Sequence, residues 1–192
     1  MSNSSSETNS YQKSVIDFID GSTIYAFATD KLSDKEEMYT TQNNRWAVGN
    51  PKITPINGDK MDEPNLMKRG NIIQFFNKRI TLVNQPTSKN YELKEKLFTN
   101  YILIQDNPKI DIQQLTKIYD FEKIIFDGSN SNWAIKQWKA SCDKAELNYY
   151  DVKHEGAYII DAKNANSNES EENYTEKLSP QAQVRAALGL LK

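Results

Sequence analysis

Short apolar runs separated by polar turns fill the first half of the chain and predict β-strands. The tripeptide Asp20-Gly21-Ser22 lies between two such runs and predicts a β-hairpin. A second pair of runs meets at Asn77-Lys78, where Asn77 tolerates a positive φ. The four predicted strands are Val15–Ile19, Ile24–Phe27, Asn71–Phe76 and Arg79–Asn84.

The segment between these two hairpins has a different pattern. Ser33 followed by Glu36 forms a capping box, which predicts a surface helix over about 34–46. Three prolines across 50–69 predict an irregular loop.

Longer apolar runs alternate with helical spacing in the second half. Tyr101–Ile104 and Ile124–Phe126 are continuous apolar runs, typical of strands buried on both faces. A capping box at Asp111 begins the intervening helix, and a second helix is predicted over about 130–146. Strands Leu147–Val152 and Ala157–Asp161, joined at Gly156, are expected to close the unit as an antiparallel edge.

The resulting order, β-α-β-α-β-β, predicts an α/β fold with a right-handed parallel crossover. Its loops 105–109 and 127–130 leave the carboxyl ends of neighbouring parallel strands. Because open α/β sheets bind their ligands at that edge, these loops are the first place to look for a site.

Both ends of the chain are polar. Residues 1–10 are expected to be a disordered tail, and 162–178 an acidic linker rich in Asn and Ser. Residues 179–192 begin with Ser-Pro and show helical spacing, so a short C-terminal helix is predicted. The folded domain is therefore placed at 11–161.

Composition excludes several classes of protein. The 192 residues carry 24 Lys and Arg against 26 Asp and Glu, which is not the charge of a polycationic nucleic-acid binder. One Cys excludes an internal disulfide, and one His with one Cys is too few for an ordinary zinc site, so no metal or other cofactor is expected. We find neither a signal peptide nor an apolar membrane span, and the chain is expected to be soluble.

Few residues carry candidate chemistry. His154 falls in a predicted solvated turn, and Cys142 on the apolar stripe of a helix, where a buried and inert thiol is expected. The seven glycines are too widely spaced for a phosphate-binding loop.

The predicted sheet edge offers two interpretations. Asp106 and Asp127 could hold Mg²⁺ for a phosphodiesterase or nuclease, or could simply begin turns. The start of the second helix could instead bind an anion or single-stranded DNA, weakly, with Trp133 as a stacking face. The candidate ligand-binding residues are Asp106, Asn107, Asp127, Gly128, Ser129, Asn130 and Trp133.

Several segments resemble the C-terminal soluble part of ComEC-type competence proteins, whose membrane part is the inner-membrane channel for DNA uptake. The similar segments are Val15–Gly21, Gly70–Phe76, Asn100–Lys109, Ile124–Asn130, Trp133–Trp138 and His154–Ile160. The resemblance covers about 11–161 and is strongest over the last 60 residues or so.

This resemblance implies a metallo-β-lactamase-like fold of two mixed sheets flanked by helices. Active members carry a His-x-His-x-Asp-His cluster, which a chain with one histidine cannot provide. The resemblance thus implies a degenerate, non-catalytic accessory domain for DNA uptake and transformation, belonging to an inner-membrane parent protein. Single-stranded DNA or the channel part of that parent would be the partner. A magnesium-dependent hydrolase and an α/β protein-interaction domain remain the alternatives.

Overall fold

Two β-sheets and three helices are formed by the residues that the structure, a computed structural model, describes. These are 14–28, 51–87, 93–162 and, for the backbone only, 185–190. The strands are β1 (Ser14–Asp20), β2 (Thr23–Ala28), β3 (Lys52–Pro55), β4 (Lys60–Glu63), β5 (Leu66–Arg69), β6 (Ile72–Phe75), β7 (Lys78–Val83), β8 (Leu97–Ile104), β9 (Tyr119–Phe126), β10 (Tyr149–Asp151), β11 (Tyr158–Asp161) and β12 (Arg185–Leu190). The helices are α1 (Ile112–Ile118), α2 (Asn132–Lys144) and α3 (Val152–Glu155).

The first sheet has the order β11-β12-β1-β2-β3. The predicted hairpin is confirmed: β1 and β2 pair antiparallel around Gly21, which has a φ of 57°. A positive φ of this kind is the conformation for which glycine is suited. Strand β3 then adds parallel to β2.

The second sheet has the order β10-β9-β8-β7-β6-β5-β4. Its strands β4 to β7 form an antiparallel meander, so the prediction of an irregular loop over 50–69 is wrong. The prolines are compatible with these strands, because Pro51 precedes a strand, Pro55 ends the edge strand β3, and Pro64 lies in a turn. The second predicted hairpin is confirmed, although Phe76 and not Asn77 has the positive φ, 49°.

Strands β7, β8, β9 and β10 are parallel, and this confirms the parallel arrangement of the predicted crossover. Helix α1 connects β8 to β9, and α2 connects β9 to β10. The side chain of Asp111 accepts from Gln113 N at 2.9 Å, as an N-cap does. Both loops predicted to share an edge therefore leave the carboxyl ends of adjacent strands.

The predicted antiparallel edge of β10 and β11 is wrong. The two strands lie in different sheets, and the short helix α3 stands between them. Val152 is fully buried, and Gly156 turns the chain toward the other sheet with a φ of 92°. Since both strands have similar apolar patterns, the sequence alone did not show that they separate.

The two sheets enclose one hydrophobic core, and the helices cover a second. Ile16 and Phe18 of β1 pack toward Phe75 and Leu103 of the second sheet. On the other face of that sheet, Phe126 stacks on Trp138 of α2 with ring centroids 5.7 Å apart. This arrangement confirms the α/β class, with two mixed sheets and helices packed on one of them.

The C-terminal segment also departs from expectation. Residues 185–190 form strand β12 between β1 and β11, so the predicted helix over 179–192 is wrong there. Strand partners on both sides override the helical spacing of this short segment. Ala162, assigned to the linker, is only 4% exposed and belongs to the core between the sheets. The helix predicted over 34–46, the tail 1–10 and the rest of the linker lie outside the described residues.

None of the helices in the described ranges has both the length and the apolar character needed to cross a bilayer.

Candidate functional site

Hydrogen bonds join the loops that follow β8 and β9. Asp106 N donates to Ser129 Oγ at 2.8 Å, and Asn107 N donates to Asn130 Oδ1 at 3.0 Å. In return, Ser131 N donates to Asn107 Oδ1 at 2.6 Å. The sequence prediction that these loops meet at one edge of the sheet agrees with this geometry.

The turn after β8 has an uncommon backbone conformation. Asp106 and Asn107 both have positive φ values, 62° and 52°. Asp and Asn tolerate this region better than other non-glycine residues because their short polar side chains hydrogen-bond locally. The turn leaves both backbone N–H groups as donors to the neighbouring loop.

Asp127 lies inside the protein, not on the surface of this edge. Only 2% of the residue is exposed. Its Oδ1 accepts from Ser129 N at 2.8 Å and from Ser129 Oγ at 2.5 Å, which closes the turn that starts the loop. This is the turn-forming role that the alternative interpretation of the sequence gave to Asp127.

The second carboxylate oxygen of Asp127 has no hydrogen-bond partner of normal geometry, and neither does Gln105 Oε1. Burial raises the pKa of Asp127, while the donors of Ser129, Ser14 and Gln105 oppose that rise only in part. Ser14 and Gln105 therefore lie close enough to Asp127 to stabilise its ionised form, although neither donates a hydrogen bond to Oδ2. A buried carboxyl of this kind is a poor ligand for Mg²⁺, which binds the ionised form.

Asn130 is the central link between the loops. It is fully buried, and its Nδ2 donates to Ile104 O at 2.6 Å and to Asp127 O at 3.1 Å. Its backbone O accepts from Lys153 Nζ at 3.0 Å. One residue therefore connects the ends of β8 and β9 with the segment that follows β10.

A groove of about 1000 Å³ lies beside these loops, between α1 and α2. The indole of Trp133 stands at its rim and is 74% exposed. Of the predicted site residues, the groove is lined by Asn107, Gly128, Ser129, Asn130 and Trp133. Asp106 and Asp127 are not among its lining residues.

The groove also has contributors that were not among the candidate ligand-binding residues. Pro108 and Ile110 supply apolar surface, and Lys109 and Lys153 supply positive charge. Asp111 is the acidic residue of the lining, and its carboxylate is occupied as the N-cap of α1. Lys153 was missed because it lies far from the two loops in sequence and reaches them only through the parallel pairing of β9 with β10.

A second polar cluster surrounds Asp151, which is fully buried. Its Oδ2 lies 2.5 Å from Lys139 Nζ and 2.7 Å from His154 Nδ1. Burial by itself would raise the pKa of Asp151, but hydrogen bonds and charge from Lys139 and His154 outweigh burial and lower it. His154 is exposed as predicted, but it belongs to α3 and has a fixed partner.

Cys142 confirms the prediction of a buried thiol. It is fully buried on α2, and burial, with a smaller contribution from Asp143, raises its pKa to about 12. A thiol with this pKa is protonated at neutral pH and is a weak nucleophile. Within the described ranges, no three or more His, Cys, Asp or Glu side chains are grouped so that they could hold a metal ion.

The family model of the ComEC C-terminal domain matches residues 8–162. No curated protein and no solved structure shows significant similarity to the chain. The family match spans most of the sequence and includes both loops, the groove and the Asp151 cluster. The chain belongs to the ComEC C-terminal domain family, which associates it with DNA uptake in competence.

Proposed function

We propose that this chain is a non-catalytic binding domain of a DNA-uptake protein, and that its groove binds single-stranded DNA. The non-catalytic role is supported by what the polar side chains at the sheet edge bind. Asn107, Ser129 and Asn130 are engaged in hydrogen bonds that join two loops. In the resemblance described above, this edge holds the metal ligands of active relatives. Because these side chains hydrogen-bond to the neighbouring loop, they support a structural role for the edge and not a hydrolytic one.

The second part is supported by the groove itself. Single-stranded DNA binds proteins through aromatic faces that stack on bases and through cations that contact phosphates. Trp133 offers an indole that is 74% exposed, and Lys109 and Lys153 line the same groove. The N-terminal turn of α2 contains no acidic residue that would oppose a phosphate.

Few acidic residues line the groove itself, and the exposed Asp106 is not part of its lining. Asp127 is buried and does not line the groove, and Asp111 caps α1. Two lysines against one aspartate line the groove, so its lining has a formal excess of one positive charge, although the whole chain carries a formal charge of −2. A small number of phosphate contacts of this kind favours weak, salt-sensitive binding.

A titration of labelled single-stranded DNA at several salt concentrations tests this proposal. We expect Trp133→Ala to weaken binding by about tenfold, since stacking on one base contributes about 1–3 kcal/mol. We expect Lys109→Ala to lower the slope of log affinity against log salt by about 0.7.

Two matched variants serve as controls for this titration. Phe98→Ala removes another half-exposed aromatic, and Lys60→Ala removes an exposed lysine on β4. Both should bind as wild type does. Absence of wild-type binding, or equal losses in the control variants, would overturn the DNA part of the proposal.

A magnesium-dependent phosphodiesterase is the second candidate, and the unpartnered Oδ2 of Asp127 is the observation that favours it. A nuclease assay with Mg²⁺ and with Mn²⁺ separates the two candidates. We expect no cleavage. Metal-dependent cleavage that Asp127→Asn abolishes, in a variant that remains folded, would establish the enzyme instead.

A further inference from the structure

Strand β12 fills a position between two strands that come from the opposite ends of the family domain. It pairs antiparallel with β1 over six positions, from Ser14↔Leu190 to Ile19↔Arg185. It also pairs antiparallel with β11 over four positions, from Tyr158↔Leu188 to Asp161↔Arg185. We call the space between β1 and β11 the strand slot.

The two walls of the slot lie within the family match and its occupant lies outside it. The match ends at 162, after β11, whereas β12 begins at Arg185. Antiparallel neighbours that form a hairpin usually need a connection of only two to five residues or so. The connection here comprises all of 162–184, so β12 is a tethered strand and not the second arm of a tight hairpin.

The slot has the dimensions and chemistry of a strand acceptor. Strands in a sheet are spaced about 4.8 Å apart, so the gap between β1 and β11 admits one strand. Ile16 and Phe18 of β1 are fully buried, which fixes that strand in the core. An empty slot would leave one edge of β1 and one edge of β11 without ladder partners.

The occupant's own sequence does not explain why it is a strand. Residues 185–190 read Arg-Ala-Ala-Leu-Gly-Leu, and Ala and Gly are depleted in strands. The ladder hydrogen bonds from both walls must therefore impose the extended conformation. That is how a sheet binds an added peptide strand, through its main chain and with modest side-chain requirements.

We propose that the strand slot is a peptide-binding site for an extended segment of about six residues, and that residues 185–190 of the same chain are its occupant. The register is defined on both sides, because Arg185 pairs with Ile19 of β1 and with Asp161 of β11. The tether keeps the strand at an effective concentration of about millimolar, so the chain fills its own slot in preference to that of a second copy. This site is separate from the groove and does not depend on the DNA proposal.

The test uses the full chain with a protease recognition sequence inserted after residue 170. After cleavage, the C-terminal piece should remain bound during size-exclusion chromatography. A fluorescein-labelled peptide of residues 183–192 added in excess should then exchange into the slot and show raised anisotropy. Unlabelled peptide should compete with it.

Two peptide variants make the result specific for ladder pairing. Ala187→Pro removes an N–H in the part of β12 that is paired on both sides, and should weaken exchange by about tenfold or more. Gln183→Pro lies before the strand and should exchange as the unchanged peptide does. The proposal is overturned if the cleaved piece separates while the rest stays folded, or if both proline peptides exchange equally. A dimer of the uncleaved chain that the peptide dissociates would overturn the assignment of the strand to its own slot.

Discussion

Asn130 shows how one buried amide holds the candidate site together. Its side chain makes bonds to the end of β8 and to the loop after β9, and it accepts from Asn107 N. The two bonds that its Nδ2 donates are buried, where an unpaired polar group is costly. The shape of the groove wall therefore depends on this residue.

We predict that Asn130→Ala lowers the free energy of unfolding by about 2–4 kcal/mol, because several buried partners lose their bonds at once. Denaturant unfolding followed by circular dichroism measures the change. Asn132→Ala, at an exposed position of the first turn of α2, is the matched control and should change stability by less than about 0.5 kcal/mol. Equal stability of the two variants would show that the loops are held by other contacts.

Asp151 leads to a prediction about pH. Its pKa is lowered in the folded protein from 3.8, so its contribution to stability is present above that value and is lost as the pH falls through the folded pKa. Asp151→Asn should therefore lower the free energy of unfolding by about 2–4 kcal/mol at pH 7, since it leaves Lys139 without its carboxylate.

The difference between wild type and Asp151→Asn should shrink as the pH is lowered below about 4. Thermal unfolding at a series of pH values measures this difference. The contributions of the other carboxylates to it cancel, because both proteins contain them. Asp120→Asn, at an exposed position of β9, is the control substitution outside the Asp151 cluster. A difference that stays constant down to pH 3 would mean that the Asp151 charge does not stabilise the fold.

The sequence predicted which two loops meet at this edge of the sheet but not the state of their side chains. Parallel strands joined by helices place 105–109 beside 127–130 by topology alone, and the hydrogen bonds between them agree. The burial of Asp127 depends on Ser14 and Gln105, and these two residues stand 91 positions apart in the chain. Local patterns contain no information about that contact.

At the scale of the element, strands and helices were predicted correctly where their sequence patterns were strong. The β1–β2 hairpin, the buried runs of β8 and β9, and the helices between β8 and β10 had clear period or turn signals. Strands β3, β4 and β5 are four residues each, and β3 and β4 are largely exposed, so their patterns are short. The prolines in and between these strands are typical of loops. Strand β12 was missed because its conformation comes from its neighbours.

The long connection to β12 gives a prediction for this element. Asp161 and Arg185 are opposite each other in the register of β11 and β12. A four-residue loop containing Asn-Gly could therefore replace 163–184 and still connect the two strands. A shorter loop costs less closure entropy, so the free energy of unfolding should rise by about 1 kcal/mol. Denaturant unfolding measures it, and adding Ala187→Pro should cancel the gain. Loss of folding in the shortened chain would show that β12 does not occupy the strand slot.

At the scale of the whole molecule, the two hydrophobic cores share one sheet. The strands of the second sheet contribute to the core between the sheets with one face and to the core under α1 and α2 with the other. The edge with the groove lies where these layers end. Its position therefore follows from the packing of the entire domain, while its chemistry follows from a few loop residues.

The last prediction concerns metal. The whole chain contains one His and one Cys, and a catalytic zinc site needs about three protein ligands, usually rich in His. Cys142 is buried with a pKa raised to about 12, and His154 holds Asp151 through Nδ1. We expect purified protein that has been incubated with zinc and then dialysed to retain far less than one zinc per chain by elemental analysis. His154→Ala should give the same low value. Retention of about one zinc per chain, lost in His154→Ala, would show that the domain assembles a site from carboxylates and this single imidazole.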